Sequence, residues 1–376
     1  MNEEIRKLFP VTRKHVYLNS AAVAPLPSPT VTAVEKQLQD VSINGSIHYP
    51  DWVETKHRCR SLVADMLNVR KEGIAFLRNT SDGFAAVANG IDWKEGDNIV
   101  SFAGEFPSNF YPWRMVRDRF GVELRLCGDA NGRVDVDELI SSIDCNTKIV
   151  SISAIQFSNG FRADLERIGA CARKHDALFS VDMIQAFGAI PLDLSGLEVD
   201  IAAGASHKWL CAPEGCGILF LSERALERIH PTLVGWISVL QPWDFDDREQ
   251  PLHGNALAFE SGTGPAALFY GLEQSLSILK SVGISDIRKH NFHLSDLFCE
   301  QLPSTGFDLV SCRDEDVKSQ IVAIRSKDNR PPVEIFKSLQ SCGIIISARG
   351  SLLRIAPHLF NDESDIDSLI SALREF

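Results

Sequence analysis

Ala177-Leu178-Phe179-Ser180-Val181-Asp182 is a nearly unbroken apolar run that ends in a carboxylate. A strand with one wet face alternates apolar and polar residues. A run apolar at almost every position suits a strand covered on both faces, as in a parallel sheet between helix layers. The same signature occurs upstream in Ile74-Ala75-Phe76-Leu77, Asn98-Ile99-Val100-Ser101-Phe102 and Thr147-Lys148-Ile149-Val150-Ser151-Ile152-Ser153, with a further strand over 122–126. Helical patterns fall between these runs, over 84–91, around Trp113, over 136–143 with Asp135 as cap, and from Leu165 through Cys171. Strands alternating with helices predict an α/β fold. Downstream, Val199-Asp200-Ile201-Ala202-Ala203 and Ile218-Leu219-Phe220-Leu221 read as two more strands, separated by Ala205-Ser206-His207-Lys208-Trp209-Leu210 and a Pro- and Gly-rich turn.

Toward the N-terminus, 1–14 reads as a lead-in, 16–18 as a short strand, and Asn19-Ser20-Ala21-Ala22 as a small-residue turn. Helices are expected over 30–42 and 51–67, the second with Asp51 as N-cap. Beyond the Gly-rich loop Ser261-Gly262-Thr263-Gly264 a long helix covers 266–281. The pattern then changes: helices over 286–302, 332–341 and 363–373 mix with strands over 308–310, 320–324, 344–347 and 352–356, as in a small α+β unit. A chain of 376 residues exceeds the roughly 250–300 at which single cores split. Two domains are expected, a large one over 15–266 and a small C-terminal one over 267–376 joined by 1–14.

The formal net charge of -12 argues against nucleic acid or an anionic membrane as partner. Nine cysteines are scattered without paired zinc-type spacing, so no metal site is expected. Asp129-Ala130-Asn131-Gly132 reads as a turn, because its Gly falls at the fourth loop position where a calcium loop needs it at the sixth. The charged N-terminus has no apolar segment of the secretory kind, and no run approaches the ~18 apolar residues of a membrane helix. A cytoplasmic protein is expected.

Chemistry concentrates on two positions. Lys208 lies between two apolar strands, where desolvation lowers an amine's pKa and frees it as a nucleophile toward carbonyls. Asp182 ends a buried strand, at the edge where α/β sheets place ligands. Asn79-Thr80-Ser81-Asp82, between a strand and a helix, is either a plain helix cap or an anion site at the helix N-terminus.

Taken in order, Asn79-Thr80-Ser81, Glu105-Phe106-Pro107-Ser108-Asn109, Ser158-Asn159-Gly160-Phe161-Arg162, Asp182-Met183-Ile184-Gln185, Ser206-His207-Lys208-Trp209, Gly262-Thr263 and Arg354-Ile355-Ala356-Pro357-His358 resemble the class V aminotransferase and cysteine desulfurase group of fold-type I enzymes. That group depends on pyridoxal 5'-phosphate (PLP). The resemblance implies a large domain with a mostly parallel, seven-stranded sheet flanked by helices, plus the small α+β domain. It also implies roles. Lys208 carries the Schiff base and moves the substrate's α-proton. Asp182 pairs with the pyridine nitrogen, Gln185 with the phenolic oxygen, and Phe106 stacks on the ring. Thr80, Ser81 and His207 hold the phosphate, with Thr263 reaching in from a second subunit of a homodimer; at Ala205, where many relatives have a phosphate-binding Ser, either Ser206 substitutes or the site has one contact fewer. Asn159 lies near the phenolic oxygen and the substrate carboxylate. Arg354 binds that carboxylate through its fork of donors, with Asn19 and Ala21 beside the substrate and Trp236 or His253 as further candidates.

Two departures shape the expected reaction. Phe106 stands where desulfurases often carry a His, and it cannot shuttle protons. The span Arg349-Gly350-Ser351-Leu352-Leu353-Arg354 is short and lacks the desulfurase's nucleophilic Cys, while Cys342 precedes it and reads as structural. The expected function is an aminotransferase-type reaction on an α-amino acid. The alternatives are a C–S lyase or an epimerase resembling isopenicillin N epimerase, without a persulfide, or a non-catalytic PLP-fold binding protein.

Overall fold

The structure, a computed structural model, describes residues 3–129 and 134–376. The turn expected at 129–132 lies, from Ala130 on, outside the described residues. Thirteen strands follow the chain: β1 (Val16–Tyr17), β2 (Ile74–Leu77), β3 (Asn98–Phe102), β4 (Glu123–Cys127), β5 (Thr147–Ser153), β6 (Leu178–Asp182), β7 (Ile201–Ala205), β8 (Gly217–Leu221), β9 (Phe307–Leu309), β10 (Val322–Ser326), β11 (Ile344–Ile345), β12 (Ser347–Arg349) and β13 (Leu352–Ile355). The α-helices of the first half are α1 (Glu3–Lys7), α2 (Ser28–Asn44), α3 (Tyr49–Leu67), α4 (Thr80–Gly90), α5 (Tyr111–Phe120), α6 (Val136–Ser141) and α7 (Leu165–Lys174). Those of the second half are α8 (Glu223–Leu226), α9 (Ala266–Val282), α10 (Ile284–Gln301), α11 (Pro332–Ser341) and α12 (Glu363–Leu373).

Seven strands form one sheet in the order β2-β8-β7-β6-β5-β3-β4. Only β8 runs against its neighbours, so the sheet is mostly parallel and the fold is α/β. Its strands β6, β7 and β8 are almost wholly apolar and buried because both faces are covered, while the edge strand β4 is largely exposed. Val100, Val150 and Phe179 point into one core, and Ile99, Ile149 and Leu178 into the other. Each such side chain contributes roughly 1.5–3 kcal/mol through burial. A second sheet, β12-β13-β10-β9, is antiparallel. Its inner face packs against α10, α11 and α12 through Val322, Ile324, Leu353 and Ile355. β1 pairs in parallel with β11, so the start of the chain lies beside its end. α9 packs on α2 and α3, where Cys59 Sγ donates to the Phe269 carbonyl at 3.2 Å.

Several boundaries differ from the sequence expectation for local reasons. α3 begins at Tyr49 with Pro50 in its first turn, so Asp51 lies inside the helix and does not cap it. α4 begins at Thr80 rather than 84, because Asn79 accepts from the Asp82 N–H and caps it. The segment 344–347 divides into β11 and β12, which pair with different strands on either side of Ile346. The strand expected over 199–203 runs from Ile201 to Ala205, up to the residues before Lys208, while Asp200 is held at its start by Arg224 and Ser222.

Candidate active site

The strands that run with β6 deliver their following loops to one edge of the large sheet. Thr80 and Ser81 follow β2, Phe106 follows β3, Phe157 follows β5, Gln185 follows β6, and His207 and Lys208 follow β7. All seven line a cavity of about 320 Å³. This is the carboxyl edge, where the geometry of α/β sheets gathers loop residues around a ligand. The small sheet closes the cavity from the other side with Arg354 on β13 and Arg349 at the end of β12.

Lys208 sits in the β7–β8 hairpin, which the Ser206 N–H to Cys216 and Ala212 N–H to Ser206 carbonyl bonds hold shut. It is 7% exposed, and its Nζ lies 5.4 Å from the centroid of the Phe106 ring. Phe106 meets Phe157 edge-on at 5.1 Å. Burial is the main cause that lowers the Lys208 pKa; Asp182 opposes it, and Arg354 and Arg349 add to it. Asp182 is raised in turn, chiefly by burial and further by the charge of Glu105, against the pull of the Ile184 N–H and Lys208. Its Oδ1 accepts from Ile184 N at 2.9 Å, while Oδ2 is buried with no partner among the described residues. An amine whose charge burial disfavours therefore lines the cavity, with a buried carboxyl that resists ionisation behind it.

Gln185 is fixed from two sides. Its Oε1 accepts from Trp209 Nε1 at 2.8 Å, and its Nε2 donates to the Ala21 carbonyl at 3.0 Å, which leaves a second N–H on that nitrogen. His207 is half-buried, and burial together with Lys208 lowers its pKa, so its ring is neutral around pH 7. The Thr80 hydroxyl, in the first turn of α4, is buried without a partner among the described residues; Ser81 pairs with Ser108 at 2.7 Å. Arg354 is 1% exposed. Its Nη1 donates to the Phe157 carbonyl at 2.7 Å and its Nε to Ser347 Oγ at 3.2 Å, with Nη2 unpartnered.

Six expected site residues fall elsewhere. Ser206 is fully buried and donates its hydroxyl to the Pro213 carbonyl within its own hairpin, so it does not replace a contact missing at Ala205. Asn159 does not line the cavity: its Oδ1 accepts from Phe161 N–H at 3.0 Å, and its carbonyl accepts from the Ser311 hydroxyl. Asn19 is tied by its backbone to Ala356, outside the lining that Ala21 belongs to. Thr263, Trp236 and His253 line a second cavity of about 500 Å³ between α2, α3 and the 236–265 segment.

Sequence reasoning passed over Glu105 as a site residue, although it lies one position before Phe106. It is buried and accepts from Ser153 N–H and Gln156 Nε2 at 2.7 Å each, and from Asn109 Nδ2 at 2.9 Å and the Ser153 hydroxyl. Ser153 is the β5 partner of Asp182, so Glu105 stands directly behind the cavity floor. The available signal was a carboxylate three residues beyond a buried strand, weaker than the one that singled out Asp182 at a strand's last position.

A profile described as "Aminotransferase class-V" matches residues 16–362. The chain belongs to the class V aminotransferase family. Members of this family carry PLP, and the chain is a PLP-dependent enzyme of the cysteine desulfurase-like kind. Among curated relatives of this class V chain, a probable cysteine desulfurase of Methanothermobacter thermautotrophicus is 28% identical, covering 99% of this chain and 97% of the relative. The apo cysteine desulfurase of Thermococcus onnurineus NA1 superposes with a TM-score of 0.91 at 22% identity, over 100% of this chain and 98% of that one. The cystine C–S lyase C-DES, solved with its reaction product cysteine persulfide, gives 0.90 at 24% identity, over 98% and 99%. These structures establish the shared fold. Among the described residues no helix is long and apolar enough to cross a membrane, and no cluster of potential ligands could hold a metal ion.

Proposed function

We propose that this enzyme acts on a small α-amino acid, and that its reaction is of the aminotransferase type. The observation that carries the reading is the placement of a buried, pKa-lowered Lys208 amine and a buried Arg354 guanidinium on one cavity, with Asp182 behind the amine. The residues fit PLP. Three buried polar atoms, Thr80 Oγ1, Asp182 Oδ2 and Arg354 Nη2, have no partner among the described residues. An unmatched buried donor or acceptor costs about 1–3 kcal/mol, and these three match a phosphate, a pyridine nitrogen and an amino-acid carboxylate.

When bound, PLP supplies an electron sink that allows a bond at the substrate's Cα to break. The chain's own residues do the rest. Thr80, Ser81 and His207 hold the phosphate beside the positive end of α4. Phe106 covers one face of the ring and keeps water from it. Asp182 would hydrogen-bond the pyridine nitrogen, and Gln185, with its spare N–H, the phenolic oxygen. Lys208 would hold the cofactor through Nζ, and its amine, whose pKa burial lowers, would move the substrate's α-proton. Arg354 holds the α-carboxylate and so orients the bond that breaks. We assign Thr263 to the site of a second copy. Leu38, Val41, Trp243 and Phe245 are exposed beside it, an apolar face suited to burial in a homodimer. Sedimentation at twice the 41.6 kDa chain mass supports that assignment, and a monomer removes Thr263 from the cofactor site.

A second reading, C–S bond cleavage, is favoured by the name of the Methanothermobacter thermautotrophicus relative. Here the sulfur would leave as a small molecule. No cysteine lines the cavity, and Cys342 is exposed at the end of α11.

The test is spectroscopic first. PLP added to the protein should give a band near ~420 nm that borohydride fixes and that Lys208→Ala lacks. A colourless protein, or an unchanged band in the variant, removes the assignment. Single amino acids then separate the reactions. Bleaching with one equivalent of keto acid marks transamination; continuous ammonia and pyruvate release with the band intact marks elimination.

A further inference from the structure

The substrate end of the cavity holds more positive charge than one amino-acid carboxylate neutralises. Arg354 and Arg349 both line it, and among the described residues no Asp or Glu does. Arg354 is anchored by Phe157 and Ser347. Arg349, half-buried, makes among the described residues a single side-chain hydrogen bond, to the adjacent Ala348 carbonyl at 3.1 Å, and no ion pair. The register explains why the two act together. Ser347 pairs with Arg354 and Arg349 with Leu352 across the β12–β13 hairpin. Positions 347 and 349 share a face, and so do 352 and 354, which makes the two arginines diagonal neighbours on one face, with Cα atoms ~7–8 Å apart. Glycine at 350, with φ of +56°, makes the tight turn that keeps Arg349 at the hairpin tip.

A guanidinium held in a half-desolvated site without a counter-charge is costly. Thr80, Ser81 and His207, which would hold the phosphate, follow strands of the large sheet, whereas Arg349 belongs to the small sheet on the other side. The α-carboxylate matches Arg354, whose free Nη2 is already buried. We propose that Arg349 reads a second anionic group on the substrate's side chain, so that the preferred substrates are α-amino acids with a short acidic side chain. Ile184 and Val23 also line the cavity, and their side chains offer no competing hydrogen bond. The proposal rests on the reading of this cavity as an amino-acid site and deepens it.

Calorimetry with unreactive ligands tests it. Succinate and succinamate have the same shape and differ by one charge. With the wild-type holoenzyme, succinate should bind at least ~10-fold more tightly than succinamate, as a charge-assisted fork contact implies. In Arg349→Gln the two should bind alike, and Arg349→Lys should restore part of the difference; Arg354→Gln should weaken both. Aspartate should likewise show a lower KM than asparagine in the wild type and lose that advantage in Arg349→Gln. Equal binding of the two probes to the wild type overturns the proposal and means that both arginines share one carboxylate. So does a preference for succinate that survives in Arg349→Gln. Absence of the visible PLP band is a different failure, that of the cofactor reading, and is scored separately.

Discussion

A lysine and an aspartate that both resist their charges make the cavity floor sensitive to pH. The Asp182 pKa is raised above its ordinary 3.8, so the folded protein keeps a proton that the unfolded chain has lost. Its stabilising contribution is complete below 3.8 and fades as pH rises through the folded value. The Lys208 pKa is lowered from 10.5, so its contribution is complete above 10.5 and fades as pH falls toward the folded value. The stabilising contribution of this pair is therefore smallest near neutrality, while the buried imidazoles of His290 and His358, whose pKa burial lowers, work against the acid limb. Asp182→Asn should flatten the acid limb and spare the alkaline one, measured by thermal melts across pH; an unchanged profile would falsify the raised Asp182. Legibility at this scale follows chemistry. Lys208, Asp182 and Arg354 stood out in the sequence because a charge among apolar strands is expensive without a purpose. Ser206 misled, because a hydroxyl's direction depends on which carbonyl lies within reach, here Pro213, and nothing local in the sequence sets it.

Secondary-structure elements were legible wherever burial imposes a period. β5, α11 and α12 match expectation to the residue, since a strand buried on both faces and a single-faced helix leave little choice. Ends set by caps were harder. The start of α4 was placed four residues late, although Asn79 is the type of residue that caps, because Thr80 through Gly83 carry no apolar signal. This matters for function, since the true start puts Thr80 in the first turn, on the cavity. The loop before α4 is also pressed from behind. A Cβ built on Gly217, at the start of β8, would lie 2.5 Å from the Asn79 nitrogen. Gly217→Ala should therefore displace the Asn79–Thr80 loop and lower PLP affinity together with stability, the latter by ~1–3 kcal/mol. Thr80→Val should lower only the affinity, by roughly tenfold or more for one hydrogen bond to a charged group. Equilibrium dialysis and thermal melting read the two effects apart; equal loss of stability in both variants would contradict this division.

Across the whole molecule, the two sheets were foreseeable from the change of pattern after residue 265, but their mutual placement was not. The residues that join them, Gly160, Ser311, Ser319 and Gln320, are ordinary in sequence. Gly160, at φ +75°, comes so close to the Ile321 carbonyl that a Cβ there would lie 2.2 Å from it. Ser319 and Gln320 donate to the Gly160 and Gln185 carbonyls. The site inherits this two-part construction, with Lys208 and Asp182 on the large sheet and Arg349 and Arg354 on the small one. An amino acid gripped by its nitrogen on one side and its carboxylate on the other is then a cross-brace between the sheets. At a hundred times its dissociation constant it should add ~2.7 kcal/mol against any opening that separates them. Amide exchange on β10 and β13 should slow more than exchange on α5, which touches neither grip; uniform slowing would mean the ligand merely raises global stability. Turnover would then alternate between a braced and an unbraced protein, with each product released as the brace comes out.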